Sequence, residues 1–209
     1  MKDLHGRERL CSGPNGASAK RAGDWLQTYS GKQFWPLDPR VEEIDIGDIA
    51  SALSKTCRFG GHCLHFYSVA EHCVLLVRWV RANLPAWPEF ANLRLQLELL
   101  LHDATEGYLP DLIRPLKRHF PDFVERENTL HVCIAKKFGI NYPMHASIKA
   151  LDTCILFDEM AQNMAPPPKP WTHGVAGADH PLGVTLQFWK PADAYTEFMC
   201  EFIRCGGRA

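Results

Sequence analysis

Apolar residues recur along this chain at the three- and four-residue spacing of helices that bury one face. The clearest stripe begins at Phe66 and predicts a helix that runs to Asn83, because Pro85 and Pro88 then stop it. The same spacing predicts further helices over residues 45–53, 93–102, 121–138, 145–164 and 192–204. We therefore expect an all-α fold with little or no strand.

The stretch 93–102 also fits a second pattern, because its leucines at 93, 95, 97 and 99 alternate as they would in a strand. Two features favour the helix. The run Leu99–Leu101 suits a helix that is buried on all sides, and Arg94 and Glu98 form a pair of opposite charges four residues apart.

The segments between these helices differ in character. Residues 1–23 are polar and rich in Gly, Lys and Arg, which is typical of a flexible tail. Residues 24–44 carry aromatic side chains among Gly and Pro, so we expect an irregular N-terminal segment that packs on the core. Residues 166–191 form a long Pro/Gly-rich loop before the last helix, and such loops are often lids or binding elements. We predict a tail over 1–23 and a single domain over 24–209.

Composition narrows the class of protein. The chain is 46% hydrophobic and 22% charged with a formal net charge of −1, as in an ordinary globular protein. It has no basic block, so a surface for duplex nucleic acid is not expected. No stretch is long and apolar enough to predict a membrane span, and the N-terminal residues lack the apolar core of a signal peptide. Eight cysteines without a CxxC pair predict free thiols in a reducing cytoplasm.

A histidine and an aspartate follow directly on the most apolar run of the chain. His102 and Asp103 come straight after Leu99–Leu101, so the carboxylate is expected to lose hydration, which is costly unless positive charge compensates. A divalent cation bound by the pair would compensate, and Glu106 and Asp111 add two carboxylates nearby. The alternative is a helix that simply ends in solvent at the pair.

Two further polar residues lie where apolar residues are expected. His72 sits beside the apolar stripe that starts at Phe66, and Asp152 lies within the stripe of the helix over 145–164. Taken singly, His72 could be a satisfied core histidine, and Asp152 could be paired with Lys149. Taken together with His102 and Asp103, they make two imidazoles and two carboxylates. Such a set suits Mn, Fe, Co or Ni, or Zn at lower coordination, and it does not suit a structural zinc.

Several segments resemble a known family: Ser68–His72, His102–Glu106, Pro110–Leu112, Pro115–Lys117 and Ile148–Asp152. Their order is similar to the H…HD…D signature of the HD superfamily of metal-dependent phosphohydrolases, and within it to the bacterial 5′-deoxynucleotidases. Other segments resemble a phage and prophage branch of HD hydrolases: Tyr29–Lys32, Trp35–Arg40 and Arg58–His62. The resemblance covers roughly residues 28–163 and implies an HD-domain helical bundle.

The resemblance also implies roles for individual residues. It implies that four residues are the metal ligands, namely His72, His102, Asp103 and Asp152. Glu106 and Asp111 stand at the positions, three and eight residues after the aspartate of the HD pair, where the deoxynucleotidases have their catalytic carboxylates. Arg58 and Phe59 match an arginine-aromatic pair that contacts phosphate and sugar there, although the family has tryptophan at the aromatic position. His62 and Lys117 are further candidates for phosphate binding. Two alternatives to these roles stay open. Glu106 could be a solvated charge at a helix end, and Phe59 could be an ordinary core residue.

The expected activity is hydrolysis of deoxynucleoside 5′-monophosphates to deoxynucleoside and phosphate. One divalent transition metal is the expected cofactor, with Mn, Co, Ni, Fe and Zn as candidates. The expected partners are a small-molecule nucleotide and a second copy of the chain in a homodimer. Three alternatives stay open: hydrolysis of deoxynucleoside triphosphates, a nucleotide-sensing module without catalysis, and a di-iron oxygenase. The last needs extra histidines near the HD pair, and residues 104–112 contain none.

Overall fold

The computed structural model describes residues 21–169 and 180–208. Within these residues the regular structure is almost entirely helical, which confirms the all-α expectation. The helices, numbered here in chain order, are α1 Ile46–Lys55, α2 Val69–Ala82, α3 Leu93–Leu100, α4 Arg114–Lys117, α5 Pro121–Phe138, α6 Ala146–Asn163 and α7 Pro191–Arg204. Short 3₁₀ turns lie at Val41–Glu43, Arg58–Gly61, Pro88–Ala91 and Ala104–Gly107.

Helix α2 lies at the centre of the bundle and packs against α1, α3, α6 and α7. Its residues are buried over most of its circumference, and Val74, Leu76 and Val77 have no exposed surface. Each such side chain contributes about 1.5–3 kcal/mol on leaving water. The helix begins at Ser68, whose hydroxyl accepts a hydrogen bond from the backbone N–H of Glu71 at 3.1 Å. This cap places His72 in the first turn of the central helix.

Helix α3 is shorter than the predicted range 93–102. It ends at Leu100, and the chain turns through Leu101 into the 3₁₀ turn Ala104–Gly107. The apolar run continues past the helix because the turn itself is buried, so periodicity alone could not mark its end. As a result, His102 and Asp103 lie in a turn rather than on a helix.

The irregular N-terminal segment contains a two-stranded antiparallel hairpin, β1 Leu26–Gln27 and β2 Gln33–Phe34. Phe34 is fully buried, and its ring stacks on that of Tyr108 with centroids 4.0 Å apart. The expected packing of this segment on the core is therefore confirmed. Residues 1–20 of the predicted tail lie outside the described residues, and Arg21 is held by Glu43 Oε1 at 2.6 Å.

Part of the predicted loop 166–191 is an extended strap over residues 182–189 along α2 and α6. Asp158 accepts hydrogen bonds from the backbone N–H groups of residues 182 and 183, and Gln162 accepts one from residue 186. Glu71 accepts three, from residues 187, 188 and 189, at 2.7–3.0 Å. Three polar side chains thus replace a strand partner for the strap. Residues 170–179 of the loop lie outside the described residues.

The cysteines follow the expectation of free thiols in part. Among the residues that the structure describes, six cysteines are free thiols, namely Cys57, Cys63, Cys73, Cys154, Cys200 and Cys205. Cys133 is disulfide-bonded, so the expectation is wrong for this residue. Among the described helices, none has the length and apolarity that a membrane crossing requires.

Candidate metal centre

Three parts of the bundle bring the four predicted ligands together. His72 comes from α2, His102 and Asp103 from the turn after α3, and Asp152 from α6. The two histidine side chains are 0% and 4% exposed, and the two aspartates are 20% and 14% exposed. The imidazoles therefore form the buried side of the cluster, and the carboxylates form the side nearer to solvent.

The donor atoms are spaced as ligands of one metal ion would be. The Nε2 atoms of His72 and His102 lie 3.3 Å apart. Asp103 Oδ2 is 3.3 Å from His102 Nε2, and Asp152 Oδ1 is 3.5 Å from His72 Nε2. The remaining two histidine–aspartate distances are both 3.9 Å. Metal–ligand bonds of about 2.0–2.2 Å place neighbouring donors about 3.0–3.5 Å apart, so these residues can hold a metal ion.

Hydrogen bonds at the outer ring nitrogens prepare both histidines for this role. His72 Nδ1 lies 2.6 Å from Glu159 Oε1, and His102 Nδ1 lies 2.8 Å from the carbonyl oxygen of Leu99. A carboxylate and a carbonyl can only accept, so each Nδ1 carries the proton. Each Nε2 atom then faces the cluster, and it can bind a metal ion once it has given up its proton.

The charges of the cluster favour an added cation. Burial lowers the pKa of His102, but the charge of Asp103 and the interactions with Cys73 and Asp152 together outweigh burial and hold this pKa well above its usual value. Burial raises the pKa of Asp152, but hydrogen bonds from His102 and His72 hold it well below its usual value. Both shifts are those of a site that attracts positive charge. Asp152 also forms an ion pair with Lys149 at 2.6 Å through its other oxygen, Oδ2. The ion pair with Lys149 is therefore compatible with a position of Oδ1 in the cluster.

Cys73 forms a second group of possible ligands with His102 and Asp103, and it approaches His102 from the side opposite to His72. Its Sγ lies 3.9 Å from His102 Nδ1, the nitrogen that already donates to Leu99. Burial raises the pKa of the Cys73 thiol, which keeps it protonated. The side of His102 that faces His72 and Asp103 is its Nε2.

The two predicted catalytic carboxylates differ in environment. Burial, followed by the charges of Asp103 and Asp111, raises the pKa of Glu106 to about 9. Asp111 is exposed and forms an ion pair with Lys117 at 3.0 Å. Lys117 also contacts Glu127 Oε1 at 2.8 Å, so it is held between two carboxylates beside the site. Glu106 is thus the inner carboxylate and Asp111 the outer one.

Arg58 reaches into the cluster, whereas its neighbours in the same turn lie further out. Its Nη1 is 3.4 Å from Asp103 Oδ2, and its Nη2 is 3.0 Å from Glu159 Oε2. The Phe59 ring centroid lies 5.5 Å from the guanidinium carbon, and Phe59 has the left-handed φ of 57°. A bulky residue with such a φ is a strained position of the kind that clusters at functional sites. His62 is exposed at the end of the turn.

Two residues of the site were not predicted from the sequence. Glu159 lies two helical turns after Asp152 on the same face of α6, but no pattern in the sequence gives it a role. His131 in α5 is 4% exposed, and within the described part of the chain its buried Nε2 has no hydrogen-bond partner. Its ring stacks on Tyr142 with centroids 4.8 Å apart.

His131 is expected to make the free energy of unfolding depend on pH. Burial, followed by the positive charge of His102, lowers its pKa from 6.5 to about 4. Between these values the unfolded chain binds the proton and the folded protein does not, so stability is lost as pH falls from 6.5 towards 4. Wild-type protein without metal should therefore lose free energy of unfolding when the pH is lowered from 7 to 5. The loss in His131→Phe is expected to be smaller by about 2 kcal/mol. Urea unfolding at the two pH values measures this difference. The exposed His119, replaced in the same way, is the control, and parallel losses in all three proteins would contradict the prediction.

The fold and the cluster together define an all-α protein whose histidines and aspartates can hold a metal ion. No family model matches the chain. The chain is 40% identical over 135 residues to the uncharacterized protein YfdR of Escherichia coli (strain K12). The matched region covers 65% of this chain and 70% of YfdR. The chain is 37% identical over 142 residues to an uncharacterized protein of Rhodobacter capsulatus, covering 64% and 69%. The chain belongs to the protein family that includes YfdR.

Proposed function

We propose that this protein is a metal-dependent phosphohydrolase of the HD superfamily that converts deoxynucleoside 5′-monophosphates to deoxynucleosides and phosphate. The observation that carries the proposal is a cation site directly beside a buried arginine. The Nε2 atoms of His72 and His102 each lie within 3.9 Å of both aspartates, Asp103 and Asp152. Asp103 in turn lies 3.4 Å from Arg58 Nη1. A phosphate ester needs both features, since its charge is balanced by a metal ion and by a guanidinium.

His72, His102, Asp103 and Asp152 would hold the metal. When bound, a divalent cation there supplies Lewis acidity towards a phosphoryl oxygen and makes a nearby water more acidic. The two carboxylates and two neutral imidazoles leave the site with room for a substrate oxygen, unlike a closed structural zinc site.

Arg58 is the residue that binds the phosphate. Its Nε is buried and has no hydrogen-bond partner among the described residues, and its Nη1 makes a long contact of 3.4 Å with Asp103. An unsatisfied buried donor is costly, and a phosphate oxygen would satisfy it. Arginine also offers paired donors that match two phosphate oxygens at once.

Glu106 is the group that protonates the leaving 5′-oxygen. With its pKa raised to about 9, it carries a proton at neutral pH. Positive charge added to the cluster would lower this pKa towards neutrality, where proton transfer is most effective. Asp111, at the outer edge, is placed to orient the attacking water from the solvent side.

Phosphate release from nucleotides tests the proposal. Purified protein, stripped of metal and reloaded with Mn, Co, Ni, Fe or Zn, is assayed with the four deoxynucleoside monophosphates and with deoxynucleoside triphosphates. We expect inorganic phosphate from a monophosphate, abolished by a chelator and restored by metal. Release of triphosphate from a triphosphate would favour the second activity. Binding of nucleotide without turnover of any would favour a sensing module.

The sugar preference of the enzyme is expected to depend on Phe59. Its ring lies beside Arg58, where an apolar face offers a 2′-hydroxyl no hydrogen bond. A deoxynucleotide should then exceed its ribonucleotide about ten- to a hundredfold in kcat/KM. Phe59→Ala should erode this ratio more than it erodes the absolute rate. The exposed Phe66, replaced by alanine, is the matched control. A wild-type ratio near one would remove the sugar-reading role from Phe59.

A further inference from the structure

Glu159 is a fully buried carboxylate whose two oxygens serve two different functional groups. Its Oε1 lies 2.6 Å from His72 Nδ1, and its Oε2 lies 3.0 Å from Arg58 Nη2. The side chain has no exposed surface. Glu159 of α6 therefore connects His72 of α2, the proposed metal ligand, to Arg58, the proposed phosphate-binding residue in the turn before α2.

The contact with His72 fixes the ring. A carboxylate on the outer nitrogen sets the tautomer, orients the ring plane and makes the inner nitrogen a better donor to a metal. No other hydrogen-bond partner of His72 Nδ1 lies among the described residues, whereas His102 uses a backbone carbonyl for the same purpose. The His72 ligand therefore depends on a side chain that can be replaced.

The contact with Arg58 aims the guanidinium. Glu159 holds Nη2 from the protein side, which leaves Nη1 facing Asp103 and Nε without a partner. A guanidinium is planar, so fixing Nη2 restricts where the other two donors can lie. Without Glu159, the long side chain of Arg58 would lose its short ion pair and keep only the 3.4 Å contact.

We propose that Glu159 is a positioning residue that builds the metal site and the phosphate site as one unit, by orienting His72 for the metal and Arg58 for the substrate phosphate. The inference rests on the proposed function, because it assigns Arg58 to phosphate. Glu159 touches neither the metal nor the substrate. It acts through the two side chains that do.

The first arm of the test measures metal binding without any turnover. Metal-free protein is titrated with Co²⁺, and binding is read from its visible absorption. Loss of the group that orients a ligand costs about ten- to a hundredfold in metal affinity. Glu159→Ala should show this loss, and Glu159→Gln should show a smaller one, because an amide oxygen can still accept from His72 Nδ1.

The second arm measures the binding of inorganic phosphate to Co²⁺-saturated protein by calorimetry. Glu159→Gln should weaken phosphate binding about tenfold or more, since an amide cannot hold the guanidinium as a carboxylate does. In a protein that already carries Arg58→Ala, the same change should have no further effect. This non-additivity shows that Glu159 acts through Arg58, and a merely structural role would not produce it.

Glu71→Gln is the matched control. Glu71 is also fully buried and stands next to His72, but its carboxylate accepts hydrogen bonds from the backbone of residues 187–189. Its replacement should lower the melting temperature while leaving the affinities for Co²⁺ and phosphate unchanged.

The outcomes separate this inference from the proposed function. Wild-type affinity for Co²⁺ in Glu159→Ala, or equal phosphate affinity in wild type and Glu159→Gln, would overturn the inference and leave the hydrolase proposal standing. If Glu159→Ala fails to fold, Glu159→Gln carries both arms, because it keeps the size of the side chain. Absence of phosphate release from every nucleotide by wild type would instead reject the hydrolase, while the loss of metal affinity would still be observed.

Discussion

Asp103→Asn is expected to weaken metal binding by more than about a hundredfold, since even a residue that only orients a ligand costs ten- to a hundredfold. The substitution keeps the shape of the side chain and removes its charge. Asp103 Oδ2 lies 3.3 Å from His102 Nε2 and 3.9 Å from His72 Nε2, so it closes the side of the cluster nearest Arg58. Metal content after dialysis should fall below one equivalent, as measured by elemental analysis.

Thermal unfolding gives a second measure of the same loss. A metal present at a hundred times its Kd stabilises a folded protein by about 2.7 kcal/mol. For a chain of this length, that raises Tm by about 5–10 °C. Wild type should show this shift with a saturating metal, and Asp103→Asn should not. Glu106→Gln, which lies outside the four donors, is the control and should keep both the metal and the shift. A full equivalent of metal in Asp103→Asn would exclude Asp103 as a ligand.

The clustered histidines and aspartates could be predicted from the sequence because they are polar residues at positions where apolar residues are expected. His102 and Asp103 follow three leucines, and Asp152 stands in an apolar stripe, where an unpaired charge would be too costly to bury. The cost of burying such a residue is a local property, so one helix is enough to reveal it. The same reasoning anticipated the ion pair of Asp152 with Lys149, three residues away.

The rest of the site depends on pairs that are remote along the chain. Arg58 meets Asp103 across 45 residues and Glu159 across 101 residues. No periodicity encodes such pairs, so the helical spacing that puts Glu159 on the same face as Asp152 does not reveal its partners His72 and Arg58. The same holds for Glu71, whose helical spacing gave no sign that it would bind the backbone of a strap 116 residues later.

Glu106→Gln is expected to lower kcat for phosphate release by about a hundredfold or more, the usual contribution of a general acid or base. Glutamine keeps the size and polarity of the side chain but carries no transferable proton. Metal content should be unchanged, because Glu106 is not among the clustered donors. The pair of variants thus separates chemistry from metal binding: Asp103→Asn loses both, and Glu106→Gln loses turnover alone.

The pH profile tests which role Glu106 has. An acid must hold its proton, so kcat should fall as pH rises through the pKa of Glu106, and this alkaline limb should be absent from Glu106→Gln. The charge of Asp111 is one cause of the raised pKa of Glu106, after burial and the charge of Asp103. Asp111→Asn removes that charge, so it should move the limb to lower pH. A profile of unchanged position in Asp111→Asn, or an alkaline limb that persists in Glu106→Gln, would assign the proton transfer to a group other than Glu106.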